Sequence, residues 1–574
     1  MRYFIAFTAA LCNITYLYQK DFDDGTYIIS KPGHYCLGEN ISFNPNPSSR
    51  TGVEPCRASF PLPHQFEKYD PRAFGIGFFA AISVQCDHVK IDLNGFTLEQ
   101  SLEHSLLQKF YSHIELADQP FVPSEGPHDF GNTLLSASHC EIFNGTFGRS
   151  SHHAIHGNNN KHINIHDLIF ENYELAAVSL NGAHHIQIER CTASSRIDVP
   201  VLGIFSSARF ILRYVDFLSQ TYPELELWVQ GNPLRIQDIQ TKLCDSLNAV
   251  HSDVLLKGRI SYTKHPKEFH LFHNRNGVVD GNCYSFLFNH EGNAVGGFSK
   301  GHVVGRSSDI RLSDVRVKRA IGNIIEVPAL KSYGKQVIDP VGAVFQIRNK
   351  TKCGKLITID KHERYLGNVV SNAQAIVAKA IHHGIHFGHL DVSRNNITPH
   401  IVEWIESFSK LNHFHTEGYF CNGDAMFHVN KGVNVFRFDS TDDIQIDNCK
   451  IEKAMNLGNC GNCDLCYYNQ NEKSHPDATL SGYNGANLRG FSFADVTNFQ
   501  LWNCSIDYLE SKAGTVVGFD VFNASRNGEL SGCIAAGLYV GEDAKYVCAY
   551  NPNRLPEAYE LRISSDCQDI VNKT

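Results

Sequence analysis

His162-Ile-Asn-Ile-His-Asp-Leu-Ile-Phe170 is answered 23 residues later by His185-Ile-Gln-Ile-Glu-Arg-Cys-Thr-Ala193. The same step of 23 links Ile142, Ile165, Ile188 and Ile211, then Ile155, Val178 and Val201, then the polar pair Asn158 and Asn181. Within each unit apolar side chains alternate at period two and give way to a Gly/Asn corner such as Leu180-Asn-Gly-Ala183. Strands this short cannot bury an apolar face alone. Equal units must therefore stack, each residue above its counterpart at about 4.8 Å. The pattern predicts a parallel β-solenoid in which Ile142, Ile165, Ile188 and Ile211 form one column.

Coil-sized units elsewhere repeat this shape, among them Cys86-Asp-His-Val-Lys-Ile-Asp-Leu-Asn-Gly-Phe-Thr-Leu98 and Asp443-Ile-Gln-Ile-Asp-Asn-Cys-Lys-Ile451. On these residues the chain resembles the pectin-lyase-like family of right-handed parallel β-helices. The resemblance implies an all-β, right-handed parallel β-helix of about ten coils, some 50 Å long at the usual strand spacing. The chirality of parallel crossovers points to the same hand. The family includes polysaccharide lyases, hydrolases and epimerases as well as tailspikes and adhesins, so it implies a polysaccharide or other glycan as partner without choosing a chemistry.

A chain of 574 residues, 42% hydrophobic, is long enough for a large core, and a solenoid need not divide into compact domains. A net charge of −9 and no dense run of Lys and Arg argue against nucleic acid as partner. Met1-Arg-Tyr-Phe-Ile-Ala-Phe-Thr-Ala-Ala-Leu-Cys12 reads as a signal peptide. No later segment has the 18 or more apolar residues that a membrane span requires. The expected setting is secreted, surface or virion-associated. Sequons begin at Asn13, Asn40, Asn144, Asn349, Asn396, Asn503, Asn523 and Asn572, and they permit glycosylation on a eukaryotic secretory route.

Cys191, Cys449, Cys504 and Cys533 each follow an apolar residue by three, as inward members of a stacked ladder would. Cys460, Cys463 and Cys466 stand at two CxxC spacings. They read as disulfide-forming in an oxidising compartment, or as zinc ligands with His475 or Cys449 as a fourth. Cys36, Cys56, Cys548 and Cys567 lie near the ends, where loops need pinning.

The solenoid is expected over residues 13–354 and 413–574, with lateral excursions near 101–136 and 218–280. A short helix is expected around Leu106-Leu-Gln-Lys-Phe-Tyr111. Over 355–412 the period changes to helical, with Ala373-Gln-Ala-Ile-Val-Ala-Lys-Ala380 and the Thr398-Pro399 start before Ile401, Val402, Trp404 and Ile405. This is a small inserted helical segment. Asp21 to Phe43 reads as a capping strand pair.

Gly148-Arg-Ser-Ser-His-His-Ala-Ile-His-Gly157 gathers Arg149, His152, His153 and His156 at a corner. Imidazoles move protons near neutral pH, and an Arg can neutralise a sugar carboxylate. Gly305-Arg-Ser-Ser308 copies the start of this stretch without its histidines, as if at the same kind of corner. Gly126-Pro-His-Asp129 is similar to the Asp-Pro-His motif of mannuronan epimerases, with Gly126 in place of the first acid. That resemblance implies roles for His128 and Asp129. His382, His383, His386 and His389 lie around Gly384, which breaks the helix that metal ligation would need. No cofactor is required by this chemistry; calcium or zinc stays open without support from these histidine motifs. Two classes stay open. One is a lyase or epimerase on uronic-acid glycans, with Arg149, His153, His156, His128 and Asp129 as its machinery. The other is a non-catalytic surface, virion or adhesin-type β-helix.

Overall fold

A computed structural model describes residues 14–47, 78–107, 110–120, 122, 133–196, 283–290, 305–322, 433–456, 487–511, 514–541 and 556–573, with short strands at 227–229, 232–234 and 346–347. The body is a parallel β-helix. One side is a sheet of ten parallel strands, one per coil, from Tyr27–Ile29 through His153–Asn158 and Ala176–Asn181 to Ala558–Ile563. The other two sides belong to a 21-stranded sheet that contributes up to three strands to a coil, as in His184–Glu189 followed by Thr192–Ser195. Ten coils at about 4.8 Å make nine steps, or about 43 Å.

The central column forms as the period requires, up to a point. Ile165 pairs with Ile142 on one side and Ile188 on the other. The place next to Ile188 expected for Ile211 is taken by Leu312, and Val178 pairs with Phe286 where Val201 was expected. The 23-residue step therefore describes two successive turns of the coil and then ends. Ile211 and Val201 lie outside the described residues.

The interior is filled by ladders of like side chains. Phe286, Phe436, Phe491 and Phe519 stack with centroids 5.3, 4.6 and 5.3 Å apart. Phe288, Phe438 and Phe493 form a second stack at 5.3 Å spacing. Such pairs contribute roughly 0.5–1.5 kcal/mol each beyond the area they bury. At Gly528 the ladder needs a hole, since a Cβ there would lie 2.1 Å from the Phe499 ring.

Two corners are set by backbone conformation. His88, His139, His162, His185, Asp309, Asp443, Asn498, Asn527 and Asp569 occupy one corner position coil after coil, all at φ between 52° and 62°. Asn144, Asp167, Arg190, Asp314, Asn448 and Asn503 occupy the next corner in the same left-handed region. Short polar side chains tolerate that region best, which explains the Asn and Asp at these positions.

Several expectations are corrected. The helix is Leu102–Leu107, earlier than expected, and Phe110–Glu115 is a strand of the ten-stranded sheet paired to Phe78–Val84 and His153–Asn158 rather than part of an excursion. The Asp21 to Phe43 stretch is a first coil, with Gly33–Leu37 running parallel to Ile14–Leu17. Cys36 and Cys567 are free thiols, as are Cys86, Cys140, Cys191, Cys449, Cys504 and Cys533. Residues 1–13, Cys56, Cys460, Cys463, Cys466, Cys548 and the helical segment at 355–412 lie outside the described residues.

The inward cysteines are buried as their spacing predicts, Cys449 and Cys504 completely. Burial pushes the Cys191 thiol up to about 12. In the native protein Cys191, Cys449 and Cys504 are expected to resist a thiol reagent at pH 8 and to react only after denaturation. Site-resolved mass spectrometry showing ready native labelling would contradict the ladder.

Candidate functional face

The ten-stranded sheet turns its Ile155, Val178, Phe286, Phe436 row into the core. The next residue of each strand faces the other way, and these positions are in register across the sheet. Glu115 lies beside His156, His156 beside Ser179, Ser179 beside Leu287 and Leu287 beside Arg437. The row continues through Ser492 and Asp520 to Arg562. Two polar clusters occupy this face.

The first cluster holds the predicted histidines. His156 donates through Nδ1 to both Glu115 oxygens at 2.7 and 2.9 Å, which orients its ring. Asn181 approaches its Nε2 at 3.4 Å, and His153 stacks on it at 5.1 Å with the planes 7° apart. His152 and His153 share a hydrogen bond between their Nδ1 atoms at 3.0 Å. Beside them Asn289 donates to Asn181, which donates to Asn158, which donates to the Pro120 carbonyl. The cluster is compact but enclosed: His153 is 3% exposed, His156 1% and Glu115 6%. Close packing turns the shared row into a hydrogen-bonded network, since a buried polar group left without a partner would cost several kcal/mol.

Arg149 is held elsewhere. Its Nη1 donates to the Gln100 carbonyl at 3.1 Å and lies 3.6 Å from Glu99 of the preceding coil. The structure thus brings His153 and His156 together, adds Glu115 and ties Arg149 to a neighbouring corner. His128 and Asp129 lie outside the described residues. The two Gly-Arg-Ser-Ser copies stand at different corners. Arg149 follows the strand Cys140–Phe147, whereas Arg306 precedes Ser307–Ser313 and pairs with Asp442 and Asp495.

The second cluster was not foreseen. Asp520, wholly buried, accepts from Arg489 Nε at 2.5 Å and from Arg562 Nε and Nη2 at 2.9 and 2.6 Å. Arg437 pairs with Asp439, and Arg437 and Arg489 both lie over the Phe522 ring, at 4.8 and 5.3 Å. Burial would raise the Asp520 pKa, but Arg562 and Arg489 outweigh it and hold the carboxyl below its usual range. Burial, together with Arg437 and Arg562, lowers the Arg489 pKa against the pull of Asp520. Three guanidiniums thus crowd two carboxylates on one sheet face. In sequence each of these residues is only one polar letter alternating with apolar ones, the pattern of any solvent-facing strand position, so nothing distinguished them.

Among the described residues no group of three or more His, Cys, Asp or Glu is placed to hold a metal ion. No described helix is long and apolar enough to cross a membrane.

Fold and face together define a parallel β-helix protein with a polar row along one sheet. No family model matches the chain, and no curated protein matches it. Among solved structures it is similar to the Streptococcus pneumoniae surface protein and adhesin PfbA, at 8% identity over 86% of this chain and 90% of that one, with a TM-score of 0.17. A likeness that slight carries no argument about this chain.

Proposed function

We propose that the protein is a glycan-binding β-helix that acts outside the cytoplasm and works by binding rather than by turnover. The observation that supports this reading is the enclosure of the catalytic candidates: His153 and His156 are 3% and 1% exposed, with Glu115, Asn181 and His152 hydrogen-bonded to them. A sugar carbon must come within about 3 Å of a general base, and imidazoles packed in this way leave it no approach. Acidic sugars are the favoured class, because Arg437, Arg489 and Arg562 bring more positive charge to the sheet face than Asp439 and Asp520 balance. Guanidiniums bind carboxylates in a fork geometry that survives partial exposure. The extracellular setting rests on the N-terminal sequence and on the exposure of Asn40, Asn144, Asn503, Asn523 and Asn572 among the sequons.

Binding to a polyuronate, followed by calorimetry beside neutral dextran, is expected for the polyuronate alone. Arg562→Gln, at the more exposed edge of the cluster, should weaken it about tenfold, the worth of one charge-assisted contact. Unchanged binding in Arg562→Gln and Arg437→Gln would remove this cluster from the interface.

One observation favours the second reading, a lyase or epimerase. The Glu115–His156 pair has the geometry of a base held by an orienting carboxylate, with His153 stacked against it. Product formation abolished by His156→Ala would decide for it.

A further inference from the structure

The histidines are not spread evenly along the solenoid. Twelve of the 30 fall between residues 78 and 196, whereas residues 433–574 contain one, His475. The described coils from 433 to 541 therefore carry none.

In the histidine-rich section most of the placed imidazoles lie away from carboxylates; His166, held between Glu141 at 3.0 Å and Asp167 at 2.7 Å, is an exception. At the first left-handed corner His88, His139, His162 and His185 stack ring on ring over four coils, with centroids 4.9, 4.4 and 4.6 Å apart and planes within 19° of parallel. Neutral rings stack well at that distance, but imidazolium ions on adjacent coils repel one another. Few groups offset the charge. His185 pairs with Asp309 at 2.6 Å, and Arg311 competes for that carboxylate. Around His162 stand His139, His185 and Lys161, with Asp309 the one opposing charge. Its pKa is lowered, first by desolvation and then by those two histidines.

The interior of the same section adds to this. His113 is completely buried, stacked on Phe147 at 5.4 Å, with the Tyr111 hydroxyl and the Gly148 carbonyl as its polar neighbours and no carboxylate among them. His104 packs on Phe43 and Tyr111 and touches Gln100. His156 faces Glu115 at 2.7 Å; His152 and His153 face each other at 3.0 Å.

We propose that the solenoid carries an acid-sensitive section, residues 78–196, which loosens when its histidines are protonated while the coils at 433–541 stay closed. Each coil of a solenoid touches only its neighbours, so one stretch can open without the rest. In the corner position that holds the imidazole stack, the later coils place Asp443, Asn498 and Asn527, so no imidazole stack exists there. The acid sensitivity is therefore local to one part of the fold and separate from the arginine cluster.

Hydrogen exchange of the full chain at pH 7.5 and pH 5.0, corrected for intrinsic rates, tests this. Peptides from 78–196 are expected to lose protection at least tenfold at pH 5.0, and those from 488–541 to keep theirs. His139→Gln/His162→Gln changes only exposed rings, should match the parent at pH 7.5 and should recover part of the lost protection at pH 5.0, the buried His113 accounting for the rest. Equal loss in both sections, no loss in either, or a double variant that opens as the parent does would each overturn the proposal.

Discussion

Asp520→Ala is expected to lower the stability of the C-terminal coils by about 3–5 kcal/mol, the usual cost of leaving buried charge uncompensated. The carboxylate is wholly buried and receives three hydrogen bonds from Arg489 and Arg562. Removing it leaves Arg437 and Arg489 over Phe522 and Arg562 over Tyr559, with Asp439 as the remaining carboxylate of the cluster. Asp520→Asn keeps the size and loses the charge, so it should cost nearly as much. Replacing Arg489, Asp520 and Arg562 together with apolar residues of similar volume should cost less than either single change. Denaturant unfolding checks the series. A loss below about 1 kcal/mol for Asp520→Ala would mean that water reaches the carboxylate and that the face is open.

A second large effect is expected at His113, and it depends on pH. Burial pushes its pKa down to about 3, although the Gly148 carbonyl pulls the other way. In the unfolded chain the same ring titrates near 6.5. The folded pKa is the lower one, so the unfolded state binds the extra proton. The stability contributed by the neutral ring is complete above about pH 6.5 and is lost as pH falls from there toward 3. The slope is about 1.4 kcal/mol per pH unit, or roughly 2.7 kcal/mol between pH 6.5 and 4.5. His113→Leu is expected to lose some stability at pH 7.5, from the missing Tyr111 and Gly148 contacts, and to fall less steeply in acid. Parallel pH profiles for the two proteins would show that His113 is not the buried neutral group described.

Much of the architecture was legible because a solenoid writes its register into the chain as a period. Ile142, Ile165 and Ile188 could be placed in one column from spacing alone, and Cys191, Cys449, Cys504 and Cys533 could be turned inward. Ile211 fits the same spacing, yet the place beside Ile188 is held by Leu312. Apolar spacing shows that a segment could join the column, not which of several such segments in the chain does. Phe110–Glu115 was hidden by helix-forming residues just before it, among them the real helix Leu102–Leu107. His153 and His156 were visible as a histidine cluster, but Glu115 is 41 residues from His156 in sequence and meets it only through the pairing of two strands. Asp520 and Arg562 are likewise 42 residues apart, and only the register makes them neighbours. Arg149 misled for the opposite reason. It is close to the histidines in sequence, but it sits across a corner and binds the coil beneath.

Whether this face binds or also transforms its ligand is tested most directly by assaying the purified full chain on uronic-acid and neutral polysaccharides. Absorbance of unsaturated products, reducing ends and binding would be followed together, for the parent and for His156→Ala. Enclosure of His153, His156 and Glu115 predicts binding to the acidic polymers with no product from either protein. Product formed by the parent and lost in His156→Ala would contradict that account and make the Glu115–His156 pair catalytic.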